Sequence, residues 1–190
     1  MILATVPKAV WYLTRGSGAI SLILLTVSVV LGITTSMRWA TPKWPRFVTE
    51  GLHRNVSLLS VVFLALHIVT AVGDGYVPIR WLDVVVPFGS AYKPLWLGLG
   101  AVAVDLLAAV VVTSLLRVRL GHRIWRAVHW LAYACWPVAV IHGLGIGSDS
   151  GQAWMLGIDL VAVASVAAAV WWRLTVGQRA LTSPIAAARS

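Results

Sequence analysis

"HRNVSLLSVVFLALH", His53 to His67, has a histidine at each end and no charged side chain after Arg54. The apolar run continues to Gly73, so residues 53–73 match the length of helix, about 20 residues, that crosses a bilayer core. "HWLAYACWPVAVIH", His129 to His142, has the same form inside a second run over 124–146. The histidines stand fourteen residues apart in the first stretch and thirteen in the second. An imidazole inside a membrane span is costly and by default marks a functional site. One alone reads equally well as an interfacial hydrogen-bonding residue; four at matched spacing on two spans do not.

The rest of the chain agrees with a membrane setting. Of 190 residues 59% are hydrophobic and 11% charged, and the mean hydropathy is +0.87. A soluble domain carries about 25% charged residues, so the water-soluble class is excluded. Fifteen Lys and Arg against six Asp and Glu leave a net charge of +9. Most of the basic residues lie between apolar runs, which points to membrane orientation and not to nucleic acid. Cys135 is the sole cysteine. It allows no internal disulfide and no cysteine-based zinc or iron–sulfur site within one chain. The opening "MILATVPKAVWYLTRGSGAISLILL" lacks a basic leader followed by a small-residue cleavage site, and reads as a retained first span.

Hydropathy predicts spans at 16–36, 53–73, 94–116, 124–146 and 152–173. The fold class expected is an all-α integral membrane bundle of five transmembrane helices, with six as the alternative, enclosing two stacked cofactors. "ILATVPKAVWYL" at the start is open to a second reading as a short surface helix. The connection 37–52 is broken by two prolines. In the long connection 74–93, "WLDVVVPF" is too short to span and reads as interfacial or re-entrant. "LGIGSDSGQ" reads as a tight turn. One transmembrane domain is expected over 1–175, followed by a polar, loosely ordered tail at 176–190.

Basic residues in short loops set the orientation. Arg38, Lys43, Arg46 and Arg54 mark the first loop, and Arg117, Arg119, Arg123 and Arg126 the third. The second has Arg80 and Lys93, offset by Asp74 and Asp83. Loops one and three and the C-terminus then face the cytoplasm of a multi-pass protein of the cell membrane, and the N-terminus faces out. Both histidine-bearing helices run outward. At about 1.5 Å per residue, each pair of histidines is separated by about 20 Å along its helix. His53 and His129 share an inner depth, and His67 and His142 an outer one. Two imidazoles from facing helices at one depth form an axial pair for a haem iron, and two such levels imply two b-type haems. Zinc would require ligands converging on one small sphere.

Helical phase supports the first pair more directly than the second. Fourteen residues fall about 40° short of four turns, so His53 and His67 share a face, whereas thirteen fall about 140° short. Pro137 is expected to distort its helix, with a wide π-type turn bringing His142 toward the face of His129.

With this spacing stand "WYLTRGSGAISLILLTVSVVLG", "LHRNVSLLSVVFLALHIVT", "WLDVVVPFGSAYKPLWLGLG" and "RAVHWLAYACWPVAVIHGLGIGSD". Together, over about residues 10–175, they resemble the ferric reductase-like transmembrane domain family, in particular stand-alone bacterial, actinobacterial members. NADPH oxidases and the haem subunit of the methionine sulfoxide reductase system are related. The resemblance implies that His53, His67, His129 and His142 are haem ligands. It further implies electron transport from a cytoplasmic or quinol donor to an outside acceptor such as ferric iron or a flavoprotein. Many members continue into a flavin- and nicotinamide-binding domain. Here the last span is followed by a short tail without a G-x-G-x-x-G segment, so a separate donor is expected: a flavoprotein, an iron–sulfur subunit or a quinol. Quinone or flavin would then come with the partner. A haem or metal transporter, or an anchor subunit of a reductase complex, are the alternatives.

Other side chains have weaker claims. Arg54 and Arg126 beside the inner histidines, and Arg80, Lys93 and Arg15 outside, are candidates to meet haem propionates; each also reads as an ordinary orienting charge. Trp136 and Phe63 lie between the two levels and are candidate electron relays, with plain packing the commoner role. Asp105 and Asp159 fall inside spans and suit either a ligand-orienting or a proton-relaying role. Gly98 and Gly100 suit close contact with a helix or a flat macrocycle.

Overall fold

The structure is a computed structural model that describes residues 6–37, 44–75, 77–147 and 150–181. The expectations for the chain start, for the loop residues 38–43, for the centre of the tight turn (148–149) and for the tail from 182 lie outside the described residues. Seven helices are described: α1 (Val6–Ser36), α2 (Arg46–Gly73), α3 (Trp81–Val85), α4 (Pro94–Leu115), α5 (Arg117–His129), α6 (Ala132–Ile146) and α7 (Ala153–Leu181). Four of them, α1, α2, α4 and α7, are long and apolar enough to cross a membrane. The bent pair α5–α6 makes a fifth span if taken as one. The protein is therefore an all-helical, multi-pass membrane protein, as its composition requires.

α1 organises the bundle, packing against α2, α7 and α6, while α4 packs against α6 and α3. At 31 residues α1 is about 46 Å long, well beyond a hydrocarbon core of about 30 Å. It runs unbroken from Val6, so the described part of "ILATVPKAVWYL" is the first turns of the span and not a separate surface helix.

Lipid is as apolar as leucine, so close packing and polar pairing hold these helices together. Ala162, Val166 and Ala169 of α7 meet Leu22, Val29 and Ile33 of α1, with Trp136 and Val140 of α6 completing the cluster. Several hydroxyls inside the spans return to the carbonyl four residues back, as Thr26 does to Leu22 and Thr34 to Val30, which satisfies them within their own helix. Others bridge helices: Ser28 Oγ meets Ser57 Oγ at 2.6 Å, and the Trp136 indole N–H donates to Thr26 Oγ1 at 2.9 Å.

The bend in the fourth span does not have the expected form. α5 and α6 meet at 45° across Trp130 and Leu131, and Pro137 lies inside a continuous α6. The proline ring conflicts with the carbonyl four residues back, Tyr133, so its disturbance falls upstream, beside the break. The turn is tight, not wide: Leu131 N–H bonds Val128 O, Tyr133 N–H bonds Trp130 O, and Ala134 N–H bonds Leu131 O. Bonds spanning three residues advance each residue by about 120° instead of about 100°. That recovers part of the rotation a thirteen-residue spacing lacks.

"WLDVVVPF" forms only the five-residue α3. Asp83 holds its start: its carboxylate accepts from the Arg80 backbone N–H at 2.9 Å and from the Arg80 guanidinium at 2.8 Å. That guanidinium bond, first, and the backbone bond hold the Asp83 carboxyl below the usual carboxylate range. A depressed folded value means the contribution is present above the unfolded carboxylate range and disappears as pH falls through the folded value. The Arg80 amide is expected to be protected from exchange at pH 6, relative to its intrinsic rate, and unprotected in strong acid. Asp83→Ala, which removes the acceptor, should lose the protection at both, and equal protection of the variant would refute the assignment.

Candidate functional site

Each of three imidazoles rests on the backbone of a neighbouring helix. His67 Nδ1 donates to Thr14 O of α1 at 2.8 Å, and His53 Nδ1 to Ser28 O of α1 at 3.0 Å. His142 Nδ1 donates to Trp96 O of α4 at 2.8 Å. A carbonyl can only accept, so Nδ1 carries the proton in all three, and Nε2 at the far side of the ring keeps its lone pair.

A glycine four residues beyond each accepting carbonyl makes the approach possible. A Cβ on Gly18 would stand 2.9 Å from His67, one on Gly100 2.6 Å from His142, and one on Gly32 3.3 Å from His53. A carbonyl and the residue four places on share one helix face, so the ring lies over the gap the glycine leaves. The sequence reading passed over this cradle on α1, although its signal was present: Gly18 and Gly32 are fourteen residues apart, the spacing of His53 and His67. Of the two α4 glycines singled out, Gly100 receives His142, whereas Gly98 is filled by the Phe88 ring.

The four imidazoles fall in two neighbourhoods. The rings of His53 and His129 have centroids 6.2 Å apart and planes at 79°. His67 and His142 line one cavity of about 840 Å³ whose walls come from α1, α2, α4 and α6. His129 differs from the other three, because its Nδ1 is buried and has no hydrogen-bond partner.

The remaining candidates divide. Arg15 lines the cavity, its guanidinium 3.9 Å from the Trp11 ring centroid, and Lys8 lines it too. Arg80 is paired with Asp83, and Lys93 Nζ donates to the last carbonyls of α6, Gly145 O at 3.3 Å and Ile146 O at 3.4 Å. Arg54 and Arg126 are exposed. Trp136 sits in the α1–α6–α7 core and Phe63 is half-buried on α2; neither lines the cavity. Asp105 is exposed on α4, and Asp159 is 5% exposed with both carboxylate oxygens unpartnered. Among the described residues no group of three or more His, Cys, Asp or Glu converges as for a single metal ion.

These features define the class: a multi-pass helical membrane protein with histidines from different helices brought together between its spans. The family model described as ferric reductase like transmembrane component matches residues 17–145, well over half of the chain. The chain belongs to that family. No curated protein and no solved structure matches it.

The spacing of His53 and His129 fits a haem as the group they would hold. Two nitrogens bound to opposite sides of one metal, each at about 2 Å as in zinc–imidazole bonds, would put the ring centroids about 6 Å apart. The His53–His129 separation agrees with this. The larger cavity, walled by Leu22, Leu25, Leu64, Leu97, Val104 and Leu107, has the size and apolar lining of a cofactor site.

Proposed function

We propose that this chain is a transmembrane b-type cytochrome that passes electrons from a cytoplasmic donor, or a membrane quinol, to an acceptor outside, with two bis-histidine haems as cofactors. The acceptor is ferric iron or a flavoprotein. What supports the reading is that His53 and His129 are in ring contact, that His67 and His142 line one cavity, and that three of the four are held through Nδ1, which leaves Nε2 for ligation. Family membership supports it.

Bound haem supplies one-electron ferric–ferrous chemistry at a potential tuned by its ligands and surroundings. The residues of the chain do the rest. His53 with His129, and His67 with His142, would hold the two haems through their imidazole nitrogens. Thr14, Ser28 and Trp96 orient their partners through backbone carbonyls. The leucine-rich wall excludes water. Arg15 and Lys8, at the outer level, are placed to offset propionate charge. The transmembrane domain covers 1–175, and its C-terminal side is cytoplasmic by the distribution of basic residues. The donor is a separate flavoprotein, an iron–sulfur subunit or quinol.

A pyridine haemochrome assay on the purified protein, with its absorption spectrum, tests this directly. About two low-spin b-type haems per chain are expected. High-spin haem, or none, would overturn the reading.

A further inference from the structure

We infer that Ser114 and Trp125 position His129 in place of the carbonyl-and-glycine cradle that holds the other three histidines, so that the imidazoles of the His53–His129 level are chemically unequal. The inference rests on the reading of the four histidines as haem ligands.

The cradles repeat at fourteen residues. On α1, Thr14 with Gly18 is followed by Ser28 with Gly32. On α4, Trp96 with Gly100 serves His142, and fourteen residues further stand Val110 and Ser114. There the pattern fails in two ways. A serine occupies the place of the glycine, so a Cβ fills the gap. Its Oγ also donates to Val110 O at 2.6 Å, as Thr113 Oγ1 does at 3.2 Å, so two hydroxyls compete for the carbonyl that would accept the imidazole N–H. The opposing helix is out of step as well, since the residue fourteen before His142 is Val128 and not His129.

Another support replaces the cradle. The Trp125 indole N–H donates to Ser114 Oγ at 3.1 Å, which ties α5 to the end of α4. The Trp125 ring lies against His129, four residues on, with centroids 5.1 Å apart and planes inclined at 32°. His129 is thus oriented by contact with an aromatic ring, and its buried Nδ1 donates to nothing. Donation from Nδ1 to a carbonyl raises the basicity of a ligating imidazole and favours the more highly charged metal. His67 and His142 both donate, whereas at the inner level only His53 does.

Spectropotentiometric titration of both haems in Ser114→Gly and Ser114→Ala tests the inference. Ser114 is the penultimate residue of α4, where either change leaves the span intact. Glycine removes both the hydroxyl and the Cβ, and opens Val110 O to His129. The inner haem should then shift toward ferric by about tenfold at fixed potential, which is a midpoint about 59 mV lower for one electron. The outer haem should not move. Alanine removes the Ser114 donor, with Thr113 Oγ1 still on Val110 O, but keeps the Cβ, and should leave the inner midpoint where it is or raise it. Equal downward shifts in both variants would overturn the inference, as would an unmoved inner midpoint in Ser114→Gly with both haems bound. Wild-type protein without low-spin haem would instead overturn the ligand reading, and this inference with it.

Discussion

His142→Ala is expected to remove one haem of the two and to abolish electron transfer across a vesicle membrane while the other haem remains reducible from the donor side. His142 and His67 line the same cavity, so loss of either leaves a single imidazole at that level. The second level is separate. His53 and His129 meet each other about 20 Å further along their helices, and nothing in their contact depends on His142. His67→Ala should therefore give the same phenotype, whereas His53→Ala should lose the haem on the donor side and block reduction of the whole protein. Haem stoichiometry, dithionite-reduced spectra and reduction of a trapped acceptor measure the three effects. If either outer variant kept both haems, the pairing would be wrong.

Gly100→Ala should produce nearly the same defect without touching a ligand. The new methyl would stand 2.6 Å from the His142 ring. The ring cannot retreat without breaking its 2.8 Å bond to Trp96 O, and the methyl is fixed to helical backbone. Loss of an outer-shell contact of this kind costs about 10–100-fold in affinity for the metal group. Gly18→Ala, at 2.9 Å from His67, should cost somewhat less, and Gly32→Ala, at 3.3 Å from His53, least. Gly16→Ala is the control: nothing stands within 4 Å of its added carbon, and alanine is the better helix former by about 1 kcal/mol. Haem retention through a detergent-wash series ranks the four. A flat ranking, or a defect in Gly16→Ala as large as in Gly100→Ala, would show that these glycines serve the helices and not the imidazoles.

The bend shows where sequence reasoning reached its limit. A proline between two histidines whose spacing is out of helical phase signalled a distorted span. Yet proline acts on the carbonyl four residues behind it, and which neighbouring peptide gives way depends on the helices packed there. Here Arg173 of α7 donates to the Tyr133 hydroxyl at 3.0 Å and stacks over Trp130, beside the break. The outer cations tell a similar story. Arg80 and Lys93 were as plausible in sequence as Arg15, but of the three Arg15 lines the cavity, while Asp83 and the end of α6 hold the other two, as the entry of α3 and α4 into the bundle sets them.

By itself the sequence determined the membrane class, most of the spans and the four histidines, because composition and helical rise are properties of the chain taken one segment at a time. It also carried the fourteen-residue interval of the α1 glycines, which matches that of the α2 histidines. Only the tertiary structure decided that Gly18 faces His67 and Gly32 faces His53, since that follows from the antiparallel register of α1 and α2. Only the structure, too, separated His129 from the other three. Its missing carbonyl is an absence created by Ser114 and Trp125, two residues that become neighbours when α5 folds back on the end of α4.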